Sequence, residues 1–328
     1  MPLAIVNCDW GTTRLRLRTV RLDRWQVTAE FRSLDGVASL AGTHPPADRP
    51  GVYRALLLEG LRPLIADQPE LLAGAPILVS GMASSSIGWQ ELPYARLPLP
   101  VDGSGLTWRD LVPLESPLGL HRVVFLSGAS SDVDVMRGEE TELVGLFTLP
   151  QAQELADSAL VIKPGTHSKH LRVRDGRLVS FQTFMTGELF DVLARHSILQ
   201  HSVSDAEPGE AVLVGDAFRH GVRAGCSLPL GAALFRVRTR QLLDHAPPGE
   251  NREFLSGILL GAELGYLAQA SNAEMPLVLC AATSLFAPYR AALEELGLAD
   301  RLTLISPEET ELLSARGQAA VWSRIAAE

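Results

Sequence analysis

Two short stretches of this chain set a hydroxyl-bearing turn at the end of an apolar strand. Asp9-Trp10-Gly11-Thr12-Thr13 closes the run Leu3–Cys8, and Gly165-Thr166-His167 closes a run through Leu160, Val161 and Ile162. A Gly-Thr turn presents backbone N–H groups and a hydroxyl to an anion, with no side chain blocking approach. Asp9 adds a hard oxygen ligand suited to magnesium or its bound water. Two such turns facing across a cleft would grip a polyphosphate from both sides. Other phosphate-binding patterns are absent: there is no G-x-x-x-x-G-K-[ST] loop, and Asp102-Gly103-Ser104-Gly105 does not complete a dinucleotide fingerprint. Ala281-Ala282-Thr283-Ser284, between an apolar run and a helix-like segment, has the shape of a nucleoside-contacting turn, a shape any α/β protein repeats.

Further polar residues suit the surroundings of such a site. Ser84 and Trp89 lie in SGMASSSIGWQ, a small, glycine-bracketed stretch fit for a hydroxyl-rich ligand and equally for a plain loop. It lacks the G-x-S-x-G elbow, which disfavours a serine hydrolase. Arg137 and Lys169 can neutralise a substrate carboxylate or a transferring phosphate, or serve as surface charges. Arg16 and Arg18, alternating with Leu15 and Leu17, read as the solvated face of a sheet. His167 and His170 fall on opposite faces of a strand, which argues against a shared metal.

The elements that position these residues follow from periodicity. Leu3–Cys8 and Arg14–Val20 form a hairpin, and a third strand follows around Trp25–Phe31. A helix runs from about 52 to 66, buried strands cover Pro76–Met82 and Arg122–Gly128, and a helix opens in MRGEETELVGLF with an acidic first turn that complements its dipole. Residues 159–181 repeat the opening layout of strand, Gly-Thr, alternating strand, turn and strand, and Asp175-Gly176 is a strong hairpin signal. The repeat predicts a duplicated domain, placed at 1–152 and 153–328. The chain has 328 residues, 46% of them apolar, enough for two cores. Its net charge of -9 argues against nucleic acid or an anionic membrane as partner. Cys8, Cys226 and Cys280 read as reduced, buried thiols. No run of about 18 apolar residues suggests a membrane span, so a soluble, cytoplasmic protein is expected.

The blocks DWGTTRLR, SGMASSSIGWQELPY, MRGEETELVG, PGTHSKHLRV and FMTGELFDVLARHSIL, in this order, resemble the 2-dehydro-3-deoxygalactonokinase family, part of the actin-like superfamily. The resemblance is dense to about Leu199 and thinner to Leu298. It implies two ribonuclease-H-like (actin-like ATPase) α/β domains with a nucleotide cleft between them, ATP and Mg²⁺ as cofactors, and phosphorylation of 2-dehydro-3-deoxy-D-galactonate to its 6-phosphate. It makes Asp9 the metal-placing residue, Gly11, Thr12 and Thr13 the first phosphate motif, and Gly165, Thr166 and His167 the second. Ala282 and Ser284 fall in the adenosine motif, where the family usually has a glycine in place of Ala281-Ala282. The interval at which related kinases carry a catalytic Asp lands on Gly138-Glu139-Glu140, so the base is Glu139, Glu140 or the nearby Asp134. Arg14, Ser84, Trp89, Arg137 and Lys169 are the expected substrate residues, with Arg14 first in line for the carboxylate. The expected partners are a sugar acid and ATP, with a homodimer as the protein partner to look for. The alternatives are a kinase for a related 2-keto-3-deoxy sugar acid or ketose, or an actin-fold phosphohydrolase.

Overall fold

The computed structural model describes residues 2–203, 212–269 and 274–327. The chain divides into two compact units: Met1–Asp157 with Arg174–Ser180 and Glu311–Glu328, and Ser158–Val173 with Phe181–Thr310.

The first unit is built on strands β1 (Ala4–Trp10), β2 (Leu15–Arg21), β3 (Gln26–Ser33), β4 (Ile77–Gly81), β5 (Trp108–Ser116) and β6 (Gly119–Leu126). Their order in the sheet is β3-β2-β1-β4-β6-β5. β1 and β2 form the expected antiparallel hairpin, with Asp9 opposite Arg16, and β4 runs parallel to β1. Alternation puts Val6, Cys8, Trp10, Leu15 and Leu17 on one face. They pack with Tyr53, Leu57 and Leu61 of a helix, Arg49–Asp67, which follows a shorter one, Val37–Thr43; these are α2 and α1.

The other face is not solvated. Asn7 Nδ2 donates to Ser314 Oγ (3.3 Å), and Gln318 Nε2 donates to Cys8 O (3.0 Å) and Ser80 Oγ (2.9 Å), so the C-terminal helix, Leu313–Ile325, covers it. This corrects the expectation for the arginines. Arg18 is 0% exposed, with Glu30 of β3 at 3.1 Å and Glu311 at 3.6 Å, while Arg16 pairs with Asp9 at 3.1 Å. Burial lowers the pKa of Arg18 and Glu30 opposes that shift. A buried guanidinium is tolerable only with such partners. The alternating charges thus mark a row of ion pairs, with Arg18 fully buried and Arg16 about one-third exposed. The C-terminal helix also crosses α3 (Glu139–Leu146) at Gly317 and Gly145, where a Cβ on either residue would collide with the backbone of the opposite helix.

A second sheet carries β7 (Ser158–Lys163), β8 (Ser168–Arg174), β9 (Arg177–Phe184), β10 (Leu277–Cys280) and β11 (Leu302–Ile305), ordered β9-β8-β7-β10-β11; it belongs to the second unit apart from the Arg174–Ser180 stretch. β7, β10 and β11 are parallel. This is the order of β3-β2-β1-β4-β6, so the repeat read from the sequence is a repeated topology, ribonuclease-H-like in both units. Asp175 and Gly176 both have positive φ (50° and 67°), as an Asp-Gly hairpin requires. Helices α4 (Thr186–His196), α5 (Asp216–Ser227), α6 (Leu230–Leu243), α7 (Pro248–Leu264) and α8 (Thr283–Glu295) complete the unit. Phe218, Val222, Leu260, Leu264, Tyr289 and Leu293 from three of them pack on Leu160, Ile162, Leu277 and Leu279 of the sheet. The three cysteines are free; Cys8 and Cys280 are buried as expected, but Cys226, in the last turn of α5, is exposed. Among the described residues no helix is long and apolar enough to cross a membrane.

Candidate active site

Each unit ends its first strand on a Gly-Thr tip backed by the start of a helix. In the first unit, Gly11 N donates to Arg14 O (2.9 Å), closing the turn, and Val37 N and Ala38 N donate to Gly11 O (3.1 Å) and Thr12 O (3.0 Å). In the second, Glu188 N donates to Thr166 O (3.1 Å). Glycines make both approaches feasible, since a Cβ on Gly36 or Gly187 would run into the tip's backbone. Thr12, Thr13, Arg14, Thr166 and His167 are exposed at these tips. Gly11 and Gly165 are different. A Cβ there would meet nothing nearer than Arg14 O at 3.6 Å and His167 O at 3.9 Å, and neither has a positive φ. The chain's own packing does not demand glycine at these two places, whereas a ligand lying against the bare backbone does.

Near the first tip, Asp9 stands toward the end of β1, and the start of α3 lies against Gly81 at the end of β4. Asp9 is 9% exposed and faces Arg16. Gly81, with φ of 88°, packs close beside it: a Cβ there would lie 3.7 Å from Asp9 Oδ1 and collide with Trp10 O at 2.7 Å. A Cβ on Gly138 would sit 3.6 Å from Gly81 Cα, which brings the start of α3 to the same edge. The two glutamates of that start differ. Glu140 is buried and both its oxygens accept from Gly138 N (2.8 and 3.0 Å), with Thr141 Oγ1 donating as well (3.0 Å). Burial first, and then the charge of Glu139, push its pKa up to about 8. Glu139 is only half-buried. Asp134 lies in a surface turn, where its Oδ1 accepts from Val135 N (2.8 Å).

The elevated Glu140 has a consequence for stability. Its folded pKa of about 8 stands above the ordinary 4.5, so the folded chain binds the proton more tightly than the unfolded one. The stabilisation is complete below about pH 4.5 and is lost as pH rises through about 8. Melting curves of the wild type and Glu140→Gln should therefore diverge between pH 5 and 8.5, with the variant gaining relative to the wild type as pH rises. A difference in Tm independent of pH would contradict the assignment.

The expected substrate residues fall into two groups. Arg137 Nη1 donates to Ser84 Oγ (3.0 Å) and Nη2 to Leu92 O (2.7 Å), and its guanidinium stacks on Tyr94 at 4.0 Å. Ser84 Oγ also donates to Gly81 O (3.1 Å). Trp89 is only 8% exposed, stacked on Tyr53 at 5.9 Å and edge-on to Trp10 and Phe125. These three hold the 82–94 loop on the core; Trp89 does not line a ligand surface. Arg14 stands exposed at the tip, and Lys169 is buried beneath the second tip with its Nζ donating to His167 O (2.9 Å). At the nucleoside-like turn, Ala281 is packed into the core while Ala282 is exposed and Ser284 half-exposed at the start of α8.

One buried cluster escaped sequence reading. His170 Nε2 bonds to Glu263 Oε1 (2.9 Å), and Tyr289 OH and Thr186 Oγ1 donate to Glu263 Oε2, the first at 2.9 Å. Tyr266 OH meets His170 Nδ1 (2.6 Å) and Ser168 Oγ meets Tyr289 OH (2.7 Å). Glu263 thus accepts from Tyr289 and Thr186 on one oxygen and meets His170 on the other. Burial, and then the charge of Glu263, push both phenols well above their ordinary range, which keeps them donors. The cluster ties β8, which leaves the second tip, to α4, α7 and α8. Residues 93 apart in sequence leave no local signal of such a contact.

Two units of one topology, each with an open Gly-Thr tip at the end of its first strand, define the actin-like class of ATPases and sugar kinases. A family model described as 2-keto-3-deoxy-galactonokinase matches residues 9–317, and the chain belongs to that family of kinases. It is 34% identical over 310 residues to a Rhizobium meliloti (strain 1021) protein assigned as a 2-dehydro-3-deoxygalactonokinase, covering 88% of this chain and 89% of that one. It is 30% identical over 298 residues to the 2-dehydro-3-deoxygalactonokinase of Escherichia coli (strain K12), covering 90% and 91%. A crystal structure from Sinorhizobium meliloti, assigned to the same activity, superposes with a TM-score of 0.78 at 33% identity, covering 98% of this chain and 96% of that one.

Proposed function

We propose that this chain transfers the γ-phosphoryl group of ATP to the terminal hydroxyl of 2-dehydro-3-deoxy-D-galactonate. The observation that carries the reading is the pair of topologically equivalent Gly-Thr tips whose glycines the protein's own packing does not require. The names of the relatives supply the sugar acid.

Phosphoryl transfer asks for alignment and for dispersal of charge rather than for covalent work by the protein. The backbone N–H groups and hydroxyls of Gly11–Thr13 and Gly165–His167 supply donors to the polyphosphate. Ala282 and Ser284 border the nucleoside. Asp9, a hard oxygen donor at the end of β1, takes the metal-placing role. Mg²⁺, when bound, neutralises phosphate oxygens and draws charge from the leaving group. Glu139 takes the proton of the attacking hydroxyl while the oxygen–phosphorus bond forms and the bond to ADP breaks. Glu140, turned onto its own helix start, positions Glu139. Arg14, exposed at the end of the first tip, meets the acceptor's carboxylate.

An ATP-coupled assay over a panel of 2-keto-3-deoxy sugar acids tests the function. Turnover with simple ketoses alone would overturn the acceptor, and ATP consumption equal with and without acceptor would make the protein a phosphohydrolase. In the same assay Arg14→Ala should raise KM for the sugar acid about ten- to a hundred-fold, the worth of one charge-assisted contact, and leave KM for ATP unchanged. The reverse pattern would move Arg14 to the phosphates.

A further inference from the structure

Of the 29 Lys and Arg residues in the chain only two are lysines, Lys163 and Lys169. They bracket the second tip: Lys163 ends β7 and Lys169 is the second residue of β8. At every other position the chain's strong cation is arginine, in surface pairs such as Arg122–Asp110 and in the interior at Arg18. Both lysines are largely buried, at 8% and 5% exposure, in a chain that otherwise puts a guanidinium inside.

Strand alternation places the two together. Leu160 and Ile162 pack under the helices of the second unit, so Lys163 belongs to the opposite face of β7. Ser168 and His170 bond to Tyr289 and Glu263 on the helix side, so Lys169 belongs to that same opposite face. Two ammonium groups thus share one face at the tip end of adjacent strands, on the side away from the Glu263 carboxylate. Lys169 Nζ donates to His167 O at 2.9 Å, which sets its charge directly against the tip's backbone.

We propose that Lys163 and Lys169 form a two-lysine clamp on the transferring phosphoryl group. The choice of lysine supports this assignment. A guanidinium is a planar fork that matches a carboxylate, whereas an ammonium is a compact point charge whose donors rotate. The transferring group spreads its charge over three oxygens and changes shape during the reaction, which suits point charges better than a fork. The acceptor carboxylate is planar, and for it the chain offers Arg14. The clamp makes no covalent bond and draws charge toward the tip as the bond to ADP breaks. It rests on the kinase reading above and adds to it Lys163, and a phosphate role for Lys169.

With two lysines, amine chemistry reads the site directly. Reductive methylation of the intact chain, followed by mass spectrometry, is run free and with a non-hydrolysable ATP analogue, inorganic triphosphate, adenosine or the sugar acid. Protection of both lysines by the analogue and by triphosphate, and by neither of the others, is the expected result. Protection by the sugar acid instead, or equal modification in all samples, overturns the proposal. Should the lysines resist modification even without ligand, variants decide. Lys163→Met and Lys169→Met should each lower kcat on the order of 10²-fold at wild-type Tm, and the arginine replacements should recover little of it. Near-full turnover in the methionine variants, or full rescue by arginine, overturns the clamp. Failure of the kinase reading looks different: the wild type then phosphorylates none of the sugar acids, while triphosphate protection still reports on the lysines.

Discussion

Asp9→Asn is expected to fold with a near-wild-type Tm and to lose about 10²–10⁴ in kcat at saturating Mg²⁺. The substitution keeps the shape of the side chain and removes the charge at the end of β1. Its structural cost is small, because the Arg16 partner is about one-third exposed and can be hydrated when the pair is broken. Its chemical cost is expected to be large, because in the proposed function this carboxylate is the hard oxygen that places the divalent cation. Steady-state kinetics across a Mg²⁺ titration, set beside thermal melts, separates the two. Near-full turnover at saturating Mg²⁺ would reduce Asp9 to the structural partner of Arg16.

Glu139→Gln is expected to lose about 10²–10⁴ in kcat with KM for ATP little changed, the range for removal of a general base. The assignment rests on the contrast at the start of α3. Glu140 has turned both oxygens onto Gly138 N and is enclosed, so a substrate hydroxyl has little access to it. Glu139 is half-buried at the same edge as Asp9. Glu140→Gln should therefore retain far more turnover than Glu139→Gln. If the loss falls on Glu140→Gln and spares Glu139→Gln, the roles are exchanged; if both stay active, the base is Asp134 or lies elsewhere.

Much of this site was legible in the sequence because its signals are local. A strand end, a Gly-Thr turn and an alternating return strand are specified by neighbours in the chain, and Asp175-Gly176 dictates its own hairpin through backbone sterics. For the same reason the repeated layout could be read from order alone, and the sheet order β3-β2-β1-β4-β6 recurs as β9-β8-β7-β10-β11. Local pattern also narrowed the base to a few carboxylates, but could not separate Glu139 from Glu140, since neighbours on a helix differ only in what the rest of the fold puts against them.

What tertiary structure alone decided is which faces meet other chain segments. Arg16 and Arg18 alternate like a solvated strand, yet the C-terminal helix lands on that face, and Gln318 reaches Cys8 across 310 residues of sequence. Arg18 became an interior ion-paired residue because a buried guanidinium survives only where carboxylates such as Glu30 and Glu311 are brought to it. Trp89, in a stretch suited by composition to a ligand, was claimed by the aromatic core because its ring finds Tyr53, Trp10 and Phe125 there. Glu263, with no local signal in the sequence, is met by His170, Thr186 and Tyr289 from other elements, and a buried carboxyl group is stable only with such partners. Periodicity sets which residues share a face of an element; only packing determines whether that face meets water, another helix or a ligand.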